Sequence, residues 1–278
     1  MQRVINHLVQ LQELTLIRDE QKVAAASDRL EELDAAIKTL TEQLPVDVRT
    51  LFDRLHKRNR LAIVPIGDGF CAACGMRLTV SLIQSVRQAR EIQTCPNCAH
   101  MLYETRTVPK RTGRSPRRSE PRKVGIARFS SHGLMVPQLA ATDKEGVIRE
   151  LASKMEEEGF IDDAGKLVET VLRREAIVST ELDHGLAMPH ARGVEGGGLT
   201  LAMGLSRQGV YFGSDSEPLS KIIFLIVIPT AASAFYLKLL AGLAETFAVA
   251  ENRKAIMAEK DPEKLWKVLI KATRSAIK

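Results

Sequence analysis

Four cysteines form two closely spaced pairs, Cys71-x2-Cys74 and, twenty residues further on, Cys95-x2-Cys98. A pair on a tight turn can point two thiolates at one ion, and four thiolates suit tetrahedral zinc with no open position. A redox role and four unrelated core cysteines are the alternatives, and pairs this close favour a metal over disulfides in a reducing compartment. The spacing therefore predicts a structural zinc site.

A second chemically competent position is His190, which directly follows Pro189 in the run Ser179-Thr-Glu-Leu-Asp-His184-Gly-Leu-Ala-Met-Pro-His190-Ala-Arg192. The His-Gly step predicts a turn, and a short apolar, strand-like stretch follows it. Neutral imidazole is a competent nucleophile near pH 7. A Pro-His pair has little specificity by itself, so without further context a histidine satisfied by hydrogen bonds is the expected interpretation.

The composition indicates an ordinary globular protein of about two domains, because 278 residues exceed the usual size of one. The N-terminus lacks the apolar block of a secretory signal. The longest uncharged apolar stretch, Ile222 to Leu237, contains Pro229 and is shorter than the roughly 20 residues of a membrane span. We therefore expect a cytoplasmic protein with no membrane segment.

A basic segment separates the two halves of the chain. Between residues 105 and 130, Pro, Ser, Thr and Gly are frequent and large apolar residues are rare, which predicts a flexible linker. Only Glu120 opposes its nine basic residues, which are Arg106, Lys110, Arg111, Arg114, Arg117, Arg118, Arg122, Lys123 and Arg128. Such a run is either a solvated tether or a salt-dependent nucleic-acid contact.

The N-terminal segment predicts a helical hairpin over residues 1–60. Val4 to Leu44 contains neither Gly nor Pro, so we expect one long helix. Its apolar seam has the three-and-four spacing of helix packing, at Leu30, Leu33, Ile37, Leu40 and Leu44. Pro45 should end it, and Asp47 can cap a shorter return helix. The exposed seam hints at a homo-oligomer. Residues 61–104 then form the small metal-binding unit.

Residues 131–278 predict an α/β domain, a mixed sheet flanked by helices. Asp143 precedes an amphipathic helix that Gly159 ends, and a second helix runs from about Asp163 to Arg174. Short apolar runs at 199–205 and 222–228 predict buried strands. Helices return at about 234–250 and 262–272. The fold class is therefore multidomain.

Six sequence blocks in the C-terminal half give a specific resemblance. Residues 134–276 resemble the enzyme IIA domain of the fructose/mannitol class of the bacterial sugar phosphotransferase system, including its nitrogen-regulatory branch. The blocks lie at 139–145, 157–161, 174–180, 184–192, 209–213 and 237–244. The resemblance implies that His190 accepts a phosphoryl group from the phosphocarrier protein HPr and passes it to a downstream acceptor or regulated protein.

The resemblance also implies the residues around the phosphoryl group. Arg174 matches the arginine that precedes the family's histidine motif, and Arg174 or Arg192 can supply donors to the phosphoryl oxygens. Thr180 is either a hydroxyl donor or a turn residue. His184 is expected to be a turn residue or neighbour. Tyr236 stands where many members have a second histidine, which favours slower or regulatory transfer because a tyrosine cannot act as a cation.

The N-terminal part has its own resemblance, carried by Val64 to Leu78 and Ile92 to Tyr103. These runs resemble bacterial proteins that join a coiled-coil hairpin to a C4 zinc ribbon, although the hairpin here is much shorter. The family implies an adaptor that binds proteins or nucleic acid. The alternative function is therefore a zinc-ribbon adaptor for nucleic acid or the transcription machinery, in which the C-terminal domain is a sensor or scaffold.

Overall fold

The computed structural model describes residues 1–23, 30–59, 61–67, 69–104, 124–194, 199–213, 219–229 and 233–277. The chain divides into two compact units. One comprises Met1–Val108 and Thr230–Leu237, and the other comprises Pro109–Pro229 and Lys238–Lys278. Within the described ranges, no helix is both long enough and apolar enough to cross a membrane.

Three helices open the first unit: α1 (Gln2–Val23), α2 (Leu30–Glu42) and α3 (Val46–Asn59). The prediction of one long helix was wrong. Arg18 Nη1 lies 3.6 Å from Asp34 Oδ1, whereas sixteen residues along a straight helix would separate them by about 24 Å. The reversal lets α1 and α2 pack against each other.

The predicted helix end at Pro45 is confirmed, because α2 ends at Glu42 and α3 begins at Val46. Asp47 lies within the first turn of α3, where its charge suits the helix dipole, and not at the cap. Ile37 and Leu40 of the α2 seam pack against a core shared with α1 and α3, whose buried members include Ile5, Leu8, Leu11, Leu44, Val48, Phe52 and Leu55. Burial of these aliphatic groups stabilises the three-helix arrangement.

A small sheet follows, formed by β1 (Ile63–Gly67), β2 (Phe70–Cys71) and β3 (Met101–Glu104). Strand β1 lies in the centre, antiparallel to β2 and parallel to β3. Between β2 and β3 lies α4 (Val80–Gln88), a helix that the sequence analysis did not predict. Thr79 caps α4 by accepting a 3.3 Å hydrogen bond from the Leu82 N–H.

Gln12 of α1 joins the helices to this sheet. Its side-chain Oε1 accepts hydrogen bonds from the N–H groups of Ala62 (2.7 Å) and Ile63 (2.9 Å). Its Nε2 donates to the Ile63 carbonyl at 2.8 Å. One amide therefore satisfies three backbone groups of two buried residues, and the helices and the sheet fold as one body within this unit.

We expect Gln12→Ala to loosen β1, because it leaves buried backbone groups without partners. The predicted cost is about 2 to 4 kcal/mol in the opening free energy of the Ile63 amide. Native-state hydrogen exchange measures it. Gln10→Ala, at an exposed position of the same helix, is the matched control and should change this value by less than about 0.5 kcal/mol. Equal protection in both variants would contradict the prediction.

The second unit contains a six-stranded mixed sheet. Its strands are β4 (Met135–Val136), β5 (Glu181–Leu182), β6 (Leu186–Ala187), β7 (His190–Val194), β8 (Thr200–Val210) and β9 (Ser220–Pro229). Strand β9 lies antiparallel to β8 on one side and parallel to β6 and β7 on the other. The predicted buried strands at 199–205 and 222–228 are confirmed as β8 and β9.

Five described helices follow along this part of the chain: α5 (Lys144–Glu157), α6 (Ala164–Glu175), α7 (Ser233–Ala248), α8 (Ala250–Ala258) and α9 (Pro262–Thr273). The first residues of α7, up to Leu237, belong to the first unit. Asp143 and Asp163 cap α5 and α6 by accepting from Gly146 N–H and Lys166 N–H. The predicted apolar face of α5 is buried. These caps and faces confirm the expected α/β domain.

Residues 124–130, predicted to belong to the linker, pack in the second unit. Residues Gly125–Arg128 form a 3-10 turn in which Ile126 is buried. The Phe129 carbonyl accepts from Leu201 N–H, and the Ser130 hydroxyl donates to the Leu201 carbonyl. The folded unit thus begins before residue 131, because one apolar side chain and a strand-edge contact suffice to anchor this segment. Residues 105–123 of the predicted linker lie outside the described residues.

Candidate functional site

The four cysteines converge on one point. Their Sγ atoms all lie within 4.8 Å of one another. The Cys71–Cys98 and Cys74–Cys95 sulfurs are 3.6 and 3.7 Å apart, close to the roughly 3.8 Å edge of a tetrahedron with 2.3 Å zinc–sulfur bonds. These separations are far longer than a disulfide of about 2.05 Å. The four thiols can therefore hold a metal ion.

The two cysteine turns have the same backbone geometry. Cys71 O accepts from Gly75 N–H at 2.8 Å, and Cys95 O accepts from Ala99 N–H at 2.9 Å. Gly75 and Ala99 have positive φ values of 71° and 62°. The N–H groups of Cys71 and Cys95 donate to residues five positions ahead, Met76 and His100. Two equivalent turns thus present the thiols from opposite sides.

The environment sets different pKa values for these thiols. Burial raises the pKa of Cys71 to about 11 and also raises that of Cys98. For Cys74, burial is outweighed by hydrogen bonds from Asn97 and the Met76 backbone, which lower its pKa to about 7. A bound cation would favour the thiolate at every position.

The strand edge beside β9 is interrupted immediately before His190. Strand β6 pairs with Ile222 and Ile223, and β7 resumes with His190 opposite Ile226. Between them, Pro189 has no N–H to donate, and its carbonyl accepts from the Ile226 N–H at 3.0 Å. This interruption frees the Met188 carbonyl from the ladder. It explains why a proline directly precedes the histidine.

The predicted turn at His184 is confirmed. His184 and Gly185 both adopt positive φ values, 67° and 72°. His184 is exposed. A Cβ at Gly185 would lie 3.0 Å from the Leu219 carbonyl oxygen, so glycine is required for close approach of the neighbouring backbone. His184 is a turn residue, as expected.

His190 is 1% exposed, and both ring nitrogens have defined partners. Nδ1 lies 3.0 Å from the Met188 carbonyl oxygen, which can only accept, so Nδ1 carries the proton. Nε2 accepts a 3.1 Å hydrogen bond from Arg174 Nε. The ring is therefore a neutral Nδ1–H tautomer whose Nε2 lone pair points at the guanidinium.

Arg174 lies in the last turn of α6 and is buried. Its Nη1 donates to the Val178 carbonyl at 2.6 Å while its Nε reaches His190. The structure thus brings together the two residues that the sequence analysis paired. A guanidinium at this distance can contact the oxygens of a phosphoryl group on Nε2 after a small shift.

Thr180 directs its hydroxyl to Glu175. Thr180 N–H and Oγ1–H donate to the two oxygens of the Glu175 carboxylate at 2.9 and 2.8 Å. Glu175 was absent from the sequence-based site. The signal that could have found it was an acidic residue as the last residue of an amphipathic helix, where the dipole disfavours negative charge.

The remaining predicted site residues lie on β7 and α7. Arg192 is half-buried on β7, two residues beyond His190. This spacing places both residues on the same face of the strand, with their Cα atoms about 7 Å apart. Tyr236, for which the resemblance implies the place of a second histidine, is fully buried in α7.

A match to a protein-family model assigns the chain to a family. Residues 129–272, slightly more than half of the chain, match the family described as "Phosphoenolpyruvate-dependent sugar phosphotransferase system, EIIA 2". The chain belongs to this family. Its EIIA domain contains His190, Arg174, Glu175 and Thr180.

Three similar proteins show the range of the family. The fructose-specific EIIA component of Haloferax volcanii is 25% identical over 126 residues, which cover 45% of this chain and 82% of that protein. A nitrogen regulatory protein from Bradyrhizobium diazoefficiens is 27% identical over 139 residues, 49% of this chain and 88% of that protein. The solved nitrogen regulatory protein IIA-Ntr from Neisseria meningitidis is 23% identical, with a TM-score of 0.47 over 52% of this chain and 98% of that chain.

The EIIA site has the groups that nucleophilic transfer needs. Nε2 supplies a lone pair without prior loss of a proton, and Arg174 supplies positive charge beside it. The Met188 carbonyl accepts from the Nδ1–H of the same ring. The family match, the fructose-specific and nitrogen regulatory relatives found by sequence, and this geometry support a phosphotransferase-system-like phosphocarrier or regulatory role.

Proposed function

We propose that this chain is a phosphoryl carrier in which His190 accepts a phosphoryl group from an HPr-like protein and passes it to a downstream acceptor. The observation that carries the proposal is the pair of hydrogen bonds on His190, which leaves Nε2 as the nucleophilic nitrogen. A slower or regulatory role fits the resemblance, which implies that Tyr236, buried here, stands where many members have a second histidine.

The transfer is balanced without an added acid or base. The Nε2 lone pair forms the new nitrogen–phosphorus bond while the donor's nitrogen–phosphorus bond breaks and its electron pair stays with the donor imidazole. The His190 ring gains positive character, which the Met188 carbonyl stabilises through the retained Nδ1–H. Arg174 turns from the consumed lone pair to the phosphoryl oxygens, and transfer to the acceptor reverses these steps.

The test is phosphorylation of the purified full-length chain with phosphoenolpyruvate, enzyme I and HPr. We expect an acid-labile phosphoryl group that mass spectrometry locates on the peptide containing His190. Omission of HPr should prevent labelling within the same time. Acid-stable label, or label on another peptide, would contradict the proposal.

We propose a structural zinc ion for the four cysteines. The sulfur separations fit a tetrahedral ion, and the two matched turns provide two ligands each. Cys71, Cys74, Cys95 and Cys98 would hold it, and its contribution is cross-linking of the two turns. It has no part in the phosphoryl chemistry.

A binding role for the N-terminal unit is the second candidate function. Phe70, Met76 and Val80 are apolar yet exposed close to the first cysteine turn, as expected of a surface that meets a partner. Nucleic acid remains an alternative partner, but eight of the nine basic linker residues lie outside the described residues. Arg128, the ninth, lies over the Phe129 ring at 4.9 Å.

A further inference from the structure

We infer that Glu175 is a positioning residue that sets the tautomer of His190 by fixing Thr180. The inference rests on the proposed function, because the tautomer matters to activity only if Nε2 is the reacting atom. Glu175 does not touch the reacting atom itself. It acts through the segment that links α6 to the histidine motif.

A closed circuit of hydrogen bonds connects these residues. His190 Nδ1–H donates to the Met188 carbonyl, and the Met188 N–H donates to the Thr180 carbonyl at 3.0 Å. Two residues earlier, the Val178 carbonyl accepts from Arg174 Nη1, and Arg174 Nε returns to His190. The loop from Val178 to Thr180 therefore carries two of the four acceptors in the circuit, the Val178 and Thr180 carbonyls.

Glu175 anchors that loop through Thr180. Its two carboxylate oxygens accept from the N–H and the hydroxyl of Thr180, which fixes the backbone and the side chain of one residue together. A two-point anchor restricts rotation of residue 180 more than one hydrogen bond would. It therefore fixes the direction of the Thr180 carbonyl and, through Met188, the acceptor that faces His190.

A carboxylate at the position of Glu175 lowers the stability of the fold. The residue is 4% exposed, and a buried carboxylate loses several kcal/mol of hydration. It is also the last residue of α6, where the helix dipole opposes negative charge. A buried acid that violates two local preferences is typical of a functional site. General base catalysis is not its role, because Nε2 has no proton to remove.

Three substitutions test the inference in the full-length chain. Glu175→Ala removes both anchors, and we expect His190 to change from one Nδ1–H tautomer to a mixture, seen by nitrogen-15 NMR of the imidazole. The rate of phosphoryl acceptance at saturating HPr should fall about 10- to 100-fold with little change in KM. Glu175→Gln should rescue most of the rate, because its amide can still pair with the Thr180 N–H and hydroxyl.

The matched control is Glu169→Ala, which removes an exposed acid of the same helix that pairs with Arg173 at 2.7 Å. It should leave the tautomer and the rate unchanged. Should Glu175→Ala fail to fold, Thr180→Val is the second variant, because it removes only the hydroxyl donor. It should produce a smaller shift of the tautomer and a smaller loss of rate. A folded variant of either kind that retains one tautomer and the full rate would overturn the inference.

The NMR arm separates this inference from the proposed function. It uses the unphosphorylated chain and no donor protein. A chain that accepts no phosphoryl group, yet loses its single tautomer in Glu175→Ala, would reject the carrier and retain the positioning role. A chain that is phosphorylated equally well with and without Glu175 would reject the positioning role and retain the carrier.

Discussion

His190→Asn should abolish phosphoryl labelling of the chain completely. An asparagine amide can still donate to the Met188 carbonyl in place of Nδ1, so the local hydrogen bond is expected to survive. Its nitrogen lone pair is delocalised into the amide and cannot attack phosphorus. The substitution therefore removes the nucleophile and little else. Incubation with phosphoenolpyruvate, enzyme I and HPr, followed by mass spectrometry of the intact protein, measures the result.

His184→Asn is the matched control for this substitution. His184 is an exposed histidine six residues earlier, and asparagine tolerates its positive φ of 67°. The control should be labelled at the wild-type level. Labelling that persists in His190→Asn but is lost in His184→Asn would move the acceptor to the turn and reject the geometry described for Nε2.

Local signals in the sequence predicted much of the fold. Pro45 ended a helix because proline acts on its own neighbours, and Asp143 capped α5 through a contact three residues away. The cysteine pairs are local as well, since each turn closes within five residues. Features of this kind depend on neighbouring residues and little on the rest of the molecule.

The features that were missed depend on distant residues. The division of the predicted long helix is stabilised by the core that Leu8 and Leu11 of α1 share with Phe52 of α3, which helix periodicity alone does not reveal. Residues 124–130 are held by Leu201, more than 70 positions away. Helix propensity is weak against such burial.

The histidine site combines local signals with contacts between distant residues. The sequence analysis assigned Arg174 to the phosphoryl group on His190, but the 3.1 Å contact between the two side chains depends on how α6 leads into β7. Thr180 was predicted to serve the phosphoryl group or a turn, whereas its hydroxyl donates to Glu175, whose role no local motif indicated. The family resemblance thus indicated the chemistry, and the circuit that orients His190 required the fold.

Removal of metal from the cysteine centre should unfold the small sheet of the first unit. Structural zinc contributes on the order of 10 kcal/mol or more to folding in small C4 units. Here, each of the two turns is closed by only two backbone hydrogen bonds, one from Gly75 or Ala99 and one from the first cysteine of the pair, and we expect these not to persist without the ion. We expect about one equivalent of zinc per chain, released by a thiol-blocking mercurial, and rapid hydrogen exchange across β1, β2 and β3 afterwards.

Substitution separates a metal effect from damage by the reagent. Cys74→Ser should lose zinc and exchange rapidly without any treatment, because oxygen is a poor replacement for one of four thiolates. Ala72→Ser places the same side chain in the same turn without removing a ligand, so it should retain both metal and protection. If Cys74→Ser keeps slow exchange at Gly75 and Ala99, the hydrogen bonds and the apolar core of this unit hold the turns unaided, and zinc is not structural.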